Sequence, residues 1–303
     1  MKVSIITPTY NRENLLKKTI DSILNQTFRD FELIIIDNCS SDNTEKGVKS
    51  YNDNRIRYFK NQNNGIIAVN RNFGLKKARG EFIAFCDDDD LWMSDKLEKQ
   101  LVEFEKDSRV AMVCSNGIAF NETGETGLVI KPHLHDNDFT FKSLLRGNKV
   151  INSSTLFKKS VIDDFGMMNE DPKIFGAEDY FLWIQVAKKY KIKCIDEPLI
   201  KYRTHLHTYR NKDLDIFMVY EKIYTKLYEK EVIDSTLYAR LKKRLNYRTL
   251  TLKLAFGDNT VTLQTIRYTE MTFGEKTKLV VIYLLFRLEI LNTLRRLRRA
   301  ALN

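Results

Sequence analysis

The 303-residue chain is long enough for one large α/β domain with an appendage, or for two modest domains. Its hydrophobic content of 43% and charged content of 30% are those of an ordinary globular protein, and four prolines with twelve glycines exclude long linkers and low-complexity tracts. The net charge of +10 is uneven: residues 205–303 carry 19 Lys and Arg against 10 Asp and Glu, whereas residues 1–204 carry 31 against 30.

Val3–Thr7 reads as a short apolar strand stopped by Pro8 and followed by a polar loop, Thr9–Arg12. Because the start runs straight into a strand, no signal peptide is expected. Leu15, Leu16, Ile20, Ile23 and Leu24 then recur at helical spacing. Phe31–Ile36 is a continuous apolar run, as a strand buried on both faces of a parallel sheet should be. It ends in Asp37–Asp42, where Asp42 and Glu45 have capping-box spacing for the next helix. Ile56–Phe59 is a third strand. Asn61–Gly65 is a loop, and Ile66, Val69, Phe73 and Lys77 mark a helix that ends before Gly80. Phe82–Cys86 is a fourth strand, and a helix with Leu97, Leu101 and Phe104 on one face follows.

Such alternation predicts a parallel sheet with helices on both faces. Right-handed crossovers put the four strand C-termini on one edge. The loops Thr7–Asn11, Asp37–Asp42 and Asn61–Gly65 therefore share that edge with Asp87–Asp90.

Asp87-Asp88-Asp89-Asp90 is the central signal. Four adjacent carboxylates repel one another, and here they follow a buried strand at the end where open α/β sheets bind ligands. A divalent cation would offset them: Mg²⁺ or Mn²⁺ takes one or two carboxylates plus oxygens of a bound diphosphate. An acidic loop capping the helix near Ser94 is the plainer alternative. No GxGxxG and no GxxxxGK[ST] occurs in the chain, so a dinucleotide site or a P-loop would lack its phosphate turn. Asp37, at the tip of the second strand, suits either a base N–H or a loop cap. Arg71, one turn into the third helix, suits phosphate charge or a solvated surface.

Beyond residue 110 the pattern is mixed. Ala111–Phe120 alternates like strand, Thr123–Asp138 reads as a mobile loop, Phe141–Arg146 as a short helix and Ser153–Phe157 as a strand. Glu178-Asp179 opens a helix that runs to about Lys189. Carboxylates there are stabilised by the helix dipole. In apolar surroundings supplied by Phe175, Phe181 and Trp183, a carboxyl pKa would also rise toward that of a general base. Lys193–Ile195 and Leu199–Tyr202 read as two strands, and everything after Asp213 as helix. His205 is one of four histidines, either structural or a metal ligand. Cys39, Cys86, Cys114 and Cys194 form no CxxC pair and read as free thiols in a reducing compartment.

These motifs together resemble the family 2 glycosyltransferases. The resemblance rests on Val3–Arg12, Phe31–Asp37 with Ser40-Ser41-Asp42, Asn70–Gly74, Ala78–Ile83, and the Asp run with Leu91-Trp92, in the right order. It extends over roughly residues 1–205. It implies a GT-A fold: an α/β domain over residues 1–210, with a mostly parallel Rossmann-like sheet flanked by helices. A nucleotide-sugar half would span about 1–110 and an acceptor half about 111–210, followed by a helical basic extension, 211–303. It also implies transfer of a sugar from a nucleotide-diphosphate sugar, UDP-linked in preference, with inversion. The acceptor would be a glycan or lipid-linked glycan of bacterial cell-surface polysaccharide synthesis. By position, Thr7, Thr9, Asp37 and Arg71 would contact the nucleotide, Asp87 or Asp88 the ribose or sugar, and Asp89 the Mn²⁺ or Mg²⁺. The run of four leaves that register open by one. Asp179 would be the base, and His205 would approach the metal or diphosphate. Phe165–Glu170 departs from the family's Gly-rich turn there.

The last helix combines an apolar run, Leu279–Phe286, with Arg295, Arg296, Arg298 and Arg299. Eight apolar residues cannot span a bilayer, which takes about 20. An interfacial helix on anionic lipid and a helix packed on the protein both fit. The expectation is a cytoplasmic protein, with its tail either peripheral on the inner face of the cell membrane or packed on the core. A sugar nucleotidyltransferase would want a glycine-rich first loop, and Thr7–Arg12 has no glycine. Nucleic acid is not expected as a partner, because the tail arginines lack interleaved aromatics and the acidic edge repels phosphate.

Overall fold

The computed structural model describes residues 1–131, 138–204, 212–256, 261–262, 266 and 273–287. The chain divides into two compact units, Met1–Leu206 and His207–Asn303.

In the first unit the order is β1 (Val3–Thr9), α1 (Glu13–Leu24), β2 (Phe31–Asp37), α2 (Thr44–Lys49), β3 (Ile56–Lys60), α3 (Ile67–Lys77) and β4 (Phe82–Phe85). These strands are parallel in the order β3-β2-β1-β4. Registers Thr9 to Asp37 and Asp37 to Lys60 bring the strand tips level. β1 and β2 are buried along their whole length, which explains why both are mostly apolar; their polar members Ser4 and Glu32 pair, Ser4 Oγ donating to Glu32 Oε1 (2.6 Å). Leu16, Ile20 and Ile23 of α1 pack with Val3, Ile5, Leu33 and Ile35 in one core. Gly80 lets β4 close on β1: a Cβ there would lie 2.6 Å from Ser4 N and 2.7 Å from Val3 C.

The expected capping box at Asp42 and Glu45 does not form. Asp42 instead accepts from Thr44 N (3.0 Å) and Glu13 N (3.2 Å), tying the β2 loop to α1. Glu45 pairs with Lys49 and Lys60.

The remainder of the unit is β5 (Leu91–Trp92), α4 (Lys96–Lys106), β6 (Val110–Asn121), β7 (Gly124–Ile130), β8 (Asp138–Phe139), α5 (Phe141–Leu144), β9 (Leu156–Lys158), α6 (Ser160–Phe165), α7 (Glu178–Lys189) and β10 (Lys191–Arg203). The sheet continues from β4 through antiparallel β9 to β6, β10 and β5, so it is mixed beyond its parallel half. The two strands expected at 193–195 and 199–202 are one strand, β10, with register shifts around Pro198, which has no N–H for the ladder. Much of the expected loop at 123–138 is β7, an exposed hairpin arm on β6 whose two glycines and lack of alternation hide it. Residues 132–137 lie outside the described residues.

The second unit contains α8 (Lys212–Glu229), α9 (Ser235–Phe256) and α10 (Phe273–Arg287). Leu250 and Leu254 of α9 form a core with Val261, Ile266 and Leu279, and Val280, Ile282 and Tyr283 pack against it. Val281 and Leu284 of α10 are 49% and 47% exposed. Among the described residues, no helix is long and apolar enough to cross a membrane.

Candidate active site

The tips of β1, β2 and β3 and the start of α3 surround a cleft of about 290 Å³. Its walls include Thr9, Arg12, Asn38, Asn70, Asp88 and Phe175.

The Asp run lies at this edge because Cys86 N donates to Ile6 O (3.1 Å), carrying the chain past the end of β4 beside β1. Each of the four carboxylates has a different setting. Asp87 accepts from Arg71 Nη2 (2.7 Å), and its N–H donates to Ser153 Oγ (3.0 Å). Asp88 is buried and accepts from Thr9 Oγ1 (2.8 Å) and Arg12 Nη1 (2.9 Å). Burial lifts its pKa to about 6, against the pull of Arg12 and Thr9. Asp89 accepts from the same Arg12 nitrogen (2.9 Å). Asp90 is buried and structural: its Oδ1 accepts from Arg203 N (2.8 Å), and its carbonyl oxygen accepts from Thr19 Oγ1 (2.8 Å). Arg203 also donates from Nε to the Asp89 carbonyl oxygen (3.1 Å), so the end of β10 is fastened to the run.

Arg71 is buried in α3 and joins the two acidic motifs. Its Nη2 takes Asp87 and its Nη1 takes Glu178 Oε1 at 2.5 Å, at the start of α7. Asp179, next to Glu178, is buried. Its Oδ1 accepts from Tyr180 N (2.6 Å) and its Oδ2 faces Asn148 Nδ2 (3.4 Å). Burial, aided by the neighbouring Glu178 charge and opposed by Arg71, raises the Asp179 carboxyl to about 7. Phe181 and Trp183 share its helix and its burial. Phe175 does not: it is 57% exposed and faces the cleft instead.

The other expected site residues divide. Thr7 is buried and its hydroxyl has no partner among the described residues. Asp37 is buried and caps its own loop, accepting from Ser40 N (2.9 Å) and Ser40 Oγ (2.5 Å) on one oxygen and from Tyr58 OH on the other. His205 lies outside the described residues. Arg12, Arg203 and Asn148 escaped the sequence reading. Arg12 alone had a usable signal, as the one cation in the first polar loop opposite four carboxylates.

For a divalent cation the donor chemistry fits, since Asp87 and Asp89 supply hard oxygens at the cleft edge. Among the described residues no three His, Cys, Asp or Glu side chains form a ready metal-binding group. A cation here would therefore use one or two carboxylates and complete its shell from a bound diphosphate.

Comparisons with known proteins bear on the family and the fold. The model of glycosyl transferase family 2 matches residues 4–167. The UDP-Glc:alpha-D-GlcNAc-diphosphoundecaprenol beta-1,3-glucosyltransferase WfgD of Escherichia coli is 32% identical over 203 residues, which are 66% of this chain and 76% of that protein. The GalNAc(5)-diNAcBac-PP-undecaprenol beta-1,3-glucosyltransferase of Campylobacter jejuni is 35% identical over 196 residues, 62% of this chain and 60% of that one. Residues 1–349 of S. aureus TarS, solved in complex with UDP-GlcNAc, superpose with a TM-score of 0.65 at 20% identity, over 88% of this chain and 79% of that one. The last likeness establishes the GT-A type of fold. On the family match and these relatives together, the chain belongs to glycosyl transferase family 2 and is a glycosyltransferase.

Proposed function

We propose that this glycosyltransferase is an inverting enzyme. It would move a sugar from a nucleotide-diphosphate sugar, UDP-linked in preference, to a hydroxyl of a glycan or lipid-linked acceptor in bacterial cell-surface polysaccharide synthesis. The observation that carries the reading is the Arg71 bridge. One buried guanidinium holds Asp87 of the Asp run and Glu178 of the α7 motif, so Asp179 stands at the same edge as the strand tips. The E. coli and C. jejuni relatives, whose named acceptors are undecaprenol-linked, support the acceptor class.

In this reading Thr7, Thr9, Asp37, Asp87 and Asp88 contact the nucleotide sugar, and Arg71 holds the phosphate-facing carboxylate in place. Asp89 and His205 would hold Mn²⁺ or Mg²⁺, which when bound offsets charge growing on the diphosphate. Asp179 removes the proton from the acceptor hydroxyl. That oxygen bonds to the anomeric carbon as the bond from carbon to phosphate oxygen breaks, and the nucleotide diphosphate leaves with the electron pair. A carboxyl near pKa 7 is a far better base than an ordinary aspartate. The basic tail would rest on an anionic membrane surface at the cytoplasmic face, where lipid-linked acceptors are reached.

The test is calorimetric titration of UDP, GDP and dTDP, each with and without Mn²⁺. Metal-dependent binding of one nucleotide is expected. If none binds with the metal present, the reading fails.

A further inference from the structure

Phe175 is a large apolar side chain held out in water by a rigid support. The short 3₁₀ turn Pro172–Ile174 precedes it, capped by Asp171, whose side chain accepts from Lys173 N (2.9 Å). Phe175 N donates to Pro172 O (3.3 Å) and Ala177 N to Ile174 O (3.0 Å). Ile174 and Ala177, on either side, are buried. Gly176 has φ +76°, a conformation other residues adopt only with strain, and it turns the chain between the exposed ring and α7. The ring is therefore not exposed because its segment lacks anchors. It is 57% exposed and lines the cleft with Thr9, Asn70 and Asp88.

The position restricts what the ring can meet. The turn it occupies leads directly into Glu178 and Asp179, and the cleft that it lines is also lined by strand-tip residues and Asp88. A nucleotide sugar with its diphosphate beside Asp87–Asp89 must place its anomeric carbon between those carboxylates and Asp179. A pyranose ring has one face of C–H bonds. Such a face gains from packing on an aromatic ring, here one that shares its cleft with Asn38, Asn63, Asn70 and Asp88, which can bond the hydroxyls.

We propose that Phe175 is the platform for the donor's pyranose ring, making it a sugar-binding residue of the cleft. The proposal rests on the nucleotide-sugar reading above. It assigns no role to the base, and the ring would contact the sugar and not the nucleoside.

The experiment compares dissociation constants by calorimetry with Mn²⁺ present. The probes are UDP, GDP and dTDP, and the glucose conjugate of each. Because the side chain is exposed, Phe175→Ala should fold as the parent does. It is expected to weaken binding of the sugar conjugate by about tenfold, a factor in the range of aromatic ring contacts. Binding of the bare nucleotide should be unchanged, and Phe175→Trp should keep the parent affinity for both. Equal losses for conjugate and bare nucleotide would overturn the assignment, as would no loss for either. If the parent protein binds none of the probes, the nucleotide-sugar reading itself falls, which is a different result.

Discussion

Arg71 Nη1 lies 2.5 Å from Glu178 Oε1, although 107 residues separate them in sequence. Both side chains are buried, and the second arm of the same guanidinium holds the less buried Asp87. Removing one partner of such a group leaves a buried charge uncompensated, whereas removing both leaves much less. Arg71→Met is therefore expected to lower stability by about 3–5 kcal/mol. Glu178→Gln in the Arg71→Met background should cost far less than it does alone. Urea unfolding of the four proteins of the cycle measures the coupling. Additive losses would mean that the bridge does not join the two motifs energetically.

Asp179 makes a prediction in two parts. As the base it must be ionised, so transfer should fall about tenfold per pH step below about 7, and Asp179→Asn should lose about 10²-fold or more. For stability the sign is opposite to that of an ordinary paired carboxylate. A carboxyl raised in the folded state is at no disadvantage below its unfolded pKa near 4. Stability is then lost as pH rises from there through about 7. Asp179→Asn removes that loss. It should be more stable than the parent at pH 8, on the order of 2 kcal/mol after the poorer contact with Asn148 is allowed for, and no more stable at pH 4. Thermal melts at the two pH values decide it. Near-parental turnover in the variant would remove Asp179 from the role of base.

The parallel half is legible because β1, β2 and β4 are buried, largely apolar runs ending in turn residues, while the half-buried β3 falls at the expected spacing between two helices. The site edge followed from chirality alone. What escaped had a local sequence unlike its tertiary setting. β5 has two residues, β7 is exposed and carries two glycines, and β10 is interrupted at Pro198. From its position one turn into α3, Arg71 suits phosphate charge or a solvated surface alike. Its contact with Glu178 depends on α7 folding back onto the same edge, which no spacing in the sequence expresses. Phe175 reads as an apolar neighbour of Asp179 because proximity in sequence does not reveal the turn at Gly176.

Lys96 is fully buried, with Nζ donating to Gln100 Oε1 (2.7 Å) and lying 3.9 Å from the centre of the Trp92 ring. Burial lowers its pKa to about 7. The folded state therefore disfavours the charged amine, and stability should rise with pH between about 7 and the unfolded value near 10.4. Lys96→Met should abolish that slope. At neutral pH the gain is partly offset, because Gln100 Oε1 loses its donor at a cost of about 1–3 kcal/mol. The net change at pH 7 is thus small, while the loss relative to the parent at pH 10 should reach a few kcal/mol. Denaturant midpoints at pH 7, 8.5 and 10 test the slope. An unchanged slope would show that another group carries it.

The basic tail separates charge from packing. Leu279 is buried in the core formed with Leu250 and Leu254, so deleting residues 279–303 would damage the second unit as well as remove its arginines. A cleaner test reverses Arg295, Arg296, Arg298 and Arg299 to Glu, which alters charge beyond α10 and leaves Leu279 in place. Each cation near an anionic surface contributes about 1 kcal/mol. The parent should therefore sediment with vesicles containing about a third phosphatidylglycerol at low salt, and less so at high salt as screening grows. The charge-reversed protein should stay in the supernatant at both. A second variant, Val281→Asp with Leu284→Asp, asks whether the exposed row on α10 also enters the interface. If the parent and both variants partition alike, the membrane reading fails and the apolar run serves only the core around Leu279.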